Sequence, residues 1–77
     1  MYHLVIGDLL GNPIEDLGLM SFEEIEAYAL EHYVGEGKLF PNVNALSAAM
    51  LELSVYKSAS WLIGFELELR ITQEHES

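Results

Sequence analysis

Two adjacent acid pairs, Glu15-Asp16 and Glu23-Glu24, are the side chains whose type suits proton sharing. A shared proton needs carboxylates that face each other, and residues one apart on a helix do not. Both pairs therefore read as solvated charge. His3, His32 and His75 stand at no spacing that brings two of them onto one metal ion, and there is no cysteine to join them. Gly35-Glu36-Gly37-Lys38 ends like a phosphate loop. Such a loop needs a glycine five positions before its Gly-Lys pair and a hydroxyl residue after it, where His32 and Leu39 stand. Ser21, Ser47, Ser54, Ser58 and Ser60 include no G-x-S-x-G elbow. No catalytic residue, metal set or cofactor site is expected, and a pocket of several hundred Å³ is hard to build in so short a chain. The chain reads as a non-enzyme.

The acids carry the clearer signal. Thirteen Asp and Glu face three Lys and Arg, a net charge of −10. Asp8, Glu15, Asp16, Glu23, Glu24, Glu26, Glu31 and Glu36 all precede Lys38, the first basic residue. Glu52, Glu66, Glu68, Glu74 and Glu76 are interspersed with Lys57 and Arg70. Such a surface repels phosphate backbones and anionic lipid, which argues against direct nucleic-acid or membrane binding and for a basic protein partner. Glu15, Asp16, Glu23, Glu24, Glu31 and Glu36 are the candidate partner-binding residues. Carboxylates spaced along a rigid helix imitate a run of phosphates and suit a groove lined by Lys and Arg. The alternative is a solvated face that keeps an apolar-rich domain in solution, although solubility alone favours interspersed signs.

The elements that must position these acids follow from pattern. Tyr2-His3-Leu4-Val5-Ile6 is a β-prone run, Gly11-Asn12-Pro13 a turn, and Ile14 to Met20 a weak returning strand or extended loop, together a hairpin. Ser21 with Glu24 forms an S-x-x-E capping box, and Phe22, Ile25, Ala29 and Tyr33 recur behind it at helical spacing, flanked by Tyr28 and His32. Glu24 and Glu31 share the opposite side, and Gly35 and Gly37 end the helix and its connection. Asn42 or Asn44 caps a second helix with Val43, Leu46, Met50 and Leu53 as its stripe. The period weakens at Val55-Tyr56, and Ser58-Ala59-Ser60 reads as a connector. From Trp61 to Thr72, apolar Trp61, Ile63, Phe65, Leu67, Leu69 and Ile71 alternate with Leu62, Gly64, Glu66, Glu68, Arg70 and Thr72, the pattern of one half-buried strand. The tail from Gln73 is expected to fray. The fold class is α+β: a small antiparallel sheet packed by two helices, in the order β-(β)-α-α-β.

Residues 1–77 make one domain with one core. The apolar share of 51% excludes an acidic disordered chain. A domain this short buries only about 60% of its unfolded surface. Without disulfides, association is the remaining route to extra stability. Leu9, Leu10, Leu17, Leu19, Met20, Leu30 and Leu51 fall outside the main stripes. They either close the core from its loops or form a patch for a homodimer or another partner. The opening Met1 to Asp8 lacks the basic region of a secretory signal, and no apolar run is long enough to span a bilayer, so a cytoplasmic location is expected.

Small size, strong acidity, apolar richness and the lack of a catalytic motif give the chain a resemblance to small phage-encoded inhibitors of the anti-CRISPR type. That resemblance implies binding to a basic surface of a CRISPR effector in the host cytoplasm, in some cases as a DNA mimic and in some as a dimer. From the first strand through the Ser21 helix to Asn42-Val43-Asn44-Ala45-Leu46 and the strand at Trp61, the chain also partly resembles barstar, an acidic ribonuclease inhibitor. Asn44 and Ala48 stand where that resemblance implies acids. Either likeness implies an acidic stopper of a basic nucleic-acid enzyme. The other reading is a non-enzymatic assembly module that associates through an apolar patch.

Overall fold

A computed structural model describes residues 1–74. Its elements are β1 (Tyr2–Asp8), β2 (Pro13–Met20), α1 (Phe22–His32), α2 (Val43–Tyr56), β3 (Ser58–Leu62) and β4 (Leu67–Gln73). The four strands form one antiparallel sheet in the order β2-β1-β4-β3. The α+β class expected from the pattern is the class observed, with one strand more than the pattern shows.

Alternation in β1 sends Tyr2 and Leu4 to one face, where Leu69 and Ile71 of β4 and Trp61 of β3 join them. Ile25 and Ala29 of α1 and Leu46, Met50 and Leu53 of α2 close over that face. Burying aliphatic side chains of this size contributes about 1.5–3 kcal/mol each, the main force holding the two layers together. Among the described residues, no helix is long and apolar enough to cross a membrane.

Local chemistry sets the boundaries. The Asp8 carboxylate accepts from the amides of Leu10 and Asn12 and from the Asn12 side chain at 2.9–3.0 Å. With Gly11 at φ 96°, that closes the first hairpin. Ser21 caps α1: its hydroxyl accepts from the Glu24 amide at 3.1 Å while the Glu24 carboxylate accepts from the Ser21 amide at 3.0 Å. Asn42, rather than Asn44, caps α2 by accepting from the Ala45 amide at 3.0 Å.

Four expectations change. α1 ends at His32 with Tyr33 as its cap, and Gly35 and Gly37 belong to the turn beyond it. Val43 is exposed, because it falls on the ridge of Ser47, Leu51 and Val55 and not on the side of α2 that buries Leu46, Met50 and Leu53. Ser58-Ala59-Ser60 is not a connector: α2 runs on to Tyr56, Lys57 takes the left-handed conformation at φ 63°, and β3 starts at Ser58. The single strand from Trp61 is two strands joined through Ile63-Gly64-Phe65-Glu66, and Phe65 is 99% exposed at the tip. Gln73 still belongs to β4, and the Glu74 amide donates to the Met1 carbonyl at 2.9 Å. The rest of the expected fray, 75–77, lies outside the described residues.

Candidate functional site

Order within the sheet decides where the acids gather. β2 is an edge strand and α1 packs beside it, so Glu15 and Asp16 share one side of the molecule with Glu23, Glu24, Glu26 and Glu31. All six are exposed, as is Glu36 in the loop after α1. Among the described residues, none of the four α1 glutamates takes part in an ion pair. Glu24 and Glu31 lie on one flank of α1, about 10.5 Å apart along its axis at 1.5 Å per residue. Glu23 and Glu26 lie on the other.

The candidate acids are not equivalent. Glu15 pairs with Ile6 and faces the helical layer, near the Tyr33 ring, whereas Asp16 pairs with Val5 and faces the open side of the sheet. There Asp16 Oδ1 accepts from the Gly18 amide at 2.8 Å and lies 2.7 Å from His3 Nε2. The Gly18 bond first, then His3, holds its carboxyl below the usual range. His3 Nδ1 is 3.5 Å from Glu74 Oε1, so the ring stands between two carboxylates. Glu24 is partly committed to the capping box. Glu15, Glu23, Glu26 and Glu31 are the freer charges.

The three basic residues do not neutralise this side. Arg70, on the open face of the sheet, donates through Nε to Glu68 at 3.0 Å and through Nη2 to the Asp8 carbonyl at 3.0 Å, bracing the first turn. Ser60 and then Arg70 hold the Glu68 carboxyl below its usual range. Lys57 is the left-handed residue between α2 and β3, and Lys38 lies in the loop.

That loop creates a feature the sequence did not announce. An open groove of about 440 Å³ runs between Gly37-Lys38-Leu39 and Leu62-Ile63-Gly64, with His32 and Tyr33 at its wall. The only sequence signals are Gly35 at φ 147° and Gly37 at φ 77°, which let the chain fold back so that Phe40 meets Trp61 edge-on at 5.2 Å. Burial, then the Tyr28 hydroxyl 3.5 Å away, raises the Tyr33 phenol well above its ordinary value and keeps it protonated. The Tyr33 phenol, the His32 imidazole tilted against Tyr28 at 4.5 Å between ring centres and the Lys38 side chain make a polar rim. They do not make a nucleophile with its base. Among the described residues, no three His, Asp or Glu side chains gather closely enough to hold a metal ion.

The apolar surplus divides. Leu17 and Met20 pack against the core, while Leu9, Leu10, Leu19, Leu30 and Leu51 are exposed. Comparison with protein-family models, with curated proteins and with solved structures gave no match to this chain.

Proposed function

We infer that this chain is a non-enzymatic, acidic binding protein that sets its β2–α1 side on a basic groove of a nucleic-acid-binding enzyme, an inhibitor of the anti-CRISPR type. One observation carries the reading. Six exposed acids gather at the β2 edge, two on the strand and four on the helix beside it, and the four on α1 have no ion-pair partner among the described residues. Charges left unpaired on a rigid helix keep their field for a partner. Unpaired carboxylates spaced along one helix support imitation of a phosphate run as the mode of docking.

The test is competition on a purified basic effector. Double-stranded DNA should displace the protein, and affinity should fall steeply as salt rises, because such charges act over about 8 Å at physiological ionic strength. Glu15→Gln, Glu26→Gln and Glu31→Gln together should weaken capture while leaving the fold intact. An affinity indifferent to salt and to these changes would rule the reading out.

The second reading, an assembly module, is favoured by exposed Leu51, Val55 and Leu62 on the opposite side of the molecule. It predicts association that survives the glutamate changes and fails when those apolar residues are replaced.

A further inference from the structure

The two edges of the sheet are built differently. β2 is guarded: Pro13 opens it, two register shifts disturb its pairing with β1, and Glu15 and Asp16 sit within it. β3 has none of these devices. Its five residues, Ser58-Ala59-Ser60-Trp61-Leu62, contain no charge and no proline, and they pair with β4 in unbroken register. The Lys57 carbonyl accepts from Gln73 at 3.0 Å and the Ile63 amide donates to Leu67 at 3.1 Å. Residues 57, 59, 61 and 63 therefore turn their backbone groups toward β4. Alternation sends the N–H and C=O of Ser58, Ser60 and Leu62 outward, where no further strand stands among the described residues.

Beside this edge lies an uncovered helix flank. Val43, Ser47, Leu51 and Val55 form an i+4 ridge of α2, all exposed and all uncharged, turned away from the half-buried Ala45 and Ala49. A helix apolar on its solvent side as well as its core side is suited to burial on both. Charge follows the same division: residues 43–62 hold one acid, Glu52, and one base, Lys57, a net charge of zero in a chain of −10.

We propose that the β3 edge and the α2 ridge form a homodimer interface, β3 pairing antiparallel with β3 of a second copy about a two-fold axis at Ser60. In that register Ala59 meets the partner's Trp61, Ser58 meets the partner's Leu62, and every pair keeps its side chains on matching faces. The three outward-facing pairs exchange two hydrogen bonds each, about six in all. The occupant is a second copy because an antiparallel edge strand is its own complement under a two-fold axis. Charge agrees: the neutral sides meet and the acidic sides point apart, whereas a basic partner is drawn to the other edge. A standard interface takes about 800 Å² from each partner, roughly one sixth of the 5083 Å² exposed here.

Sedimentation equilibrium of the full chain over a range of concentrations is the test. A reversible monomer–dimer equilibrium is expected, with the dimer fraction rising with salt as repulsion between net-negative copies is screened. Ser60→Pro removes an outward N–H with no role in the β3–β4 ladder and should give monomers with an unchanged circular dichroism spectrum. Leu51→Glu with Val55→Glu should also give folded monomers, and decides the matter if proline unfolds the strand. Glu26→Gln with Glu31→Gln should leave the dimer intact or tighten it. The proposal is overturned by a chain monomeric at every soluble concentration, by a dimer that survives either folded interface variant, or by a dimer that the two glutamine changes dissolve.

Discussion

Glu24 holds two positions at once, a charge on the acidic side and half of the cap of α1, and substitution separates them. Removing the Ser21 hydroxyl leaves the Glu24 amide of the first turn without its acceptor, and removing the Glu24 carboxylate does the same to the Ser21 amide at the cap. Loss of such a cap costs about 1 kcal/mol, and loss of a negative charge at a helix N-terminus a further 0.3–1 kcal/mol or so. Glu24→Lys loses both and puts a cation against the positive end of the dipole, for a total of about 2 kcal/mol. A domain this size has about 4–12 kcal/mol in all. With about 4–8 °C of Tm per kcal/mol, Glu24→Lys should melt roughly 8–16 °C low. Glu24→Gln keeps an oxygen able to accept from the Ser21 amide and should lose only a few degrees. Ser21→Ala should lose about 1 kcal/mol, and Glu31→Lys, outside the cap, should sit near wild type. Thermal melts of the four variants read this directly. Equal Tm values for Glu24→Gln and Glu24→Lys, or a silent Ser21→Ala, would refute the argument. Charge on this side is therefore best probed with Gln rather than Lys at position 24.

Other changes act on the backbone and on pH. Lys57 sits at φ 63°, a conformation costing a side-chain-bearing residue about 1–2 kcal/mol, while glycine gives back about 0.5–1 in unfolded-chain entropy. Lys57→Gly should thus raise Tm by a few degrees, and a lower Tm would show that the lysine side chain stabilises the junction. A Cβ on Gly7 would lie 2.8 Å from the Asn12 carbonyl and 3.3 Å from the Arg70 guanidinium. Gly7→Ala should therefore cost about 1–3 kcal/mol in denaturant unfolding by forcing the first turn aside, and a neutral result would mean the turn yields freely. Asp8, Asp16 and Glu68 have folded-state pKa values below the ordinary 3.8, 3.8 and 4.5. Their stabilisation is complete above those ordinary values and is lost as pH falls through the lowered ones. Asp8→Asn should flatten the acid limb of a stability–pH curve, and an unchanged limb would place the loss elsewhere.

The capping box was legible because it is local: two residues three apart define it, and the helix obeyed. The stripes Ile25–Ala29 and Leu46–Met50–Leu53 were legible because a helix buried on one side must repeat at its own period. The β3–β4 hairpin was hidden by parity. Four residues separate Leu62 from Leu67, an even number, so alternation runs through the turn without a break. Trp61 and Leu69 are cross-strand partners on one face, as a continuous strand would also place them on one face. Only Gly64 marked the turn, and a lone glycine within an alternating run is a weak signal. The start of β3 was hidden because Lys57 takes the left-handed position usually given to glycine. The gathering of the acids was half legible. Helical spacing placed those on α1, but their nearness to Glu15 and Asp16 depends on sheet order, which no local pattern encodes.

The acid surplus and the apolar surplus make opposite physical demands, since charge needs water or a counter-charge and apolar area needs cover. A sheet with both helices on one face has two long edges on which to meet them. Here α1 goes with the guarded edge β2 and α2 with the bare edge β3. Salt acts on the two edges with opposite sign. Screening weakens docking of the acidic side on a basic groove, and it eases the approach of two net-negative copies through their neutral sides. Raising salt at fixed concentration should therefore release a bound basic partner while self-association holds or strengthens. If both associations weakened together, charge rather than apolar area would govern the β3 side. If neither responded, the segregation of acids onto one edge would be a matter of solubility alone.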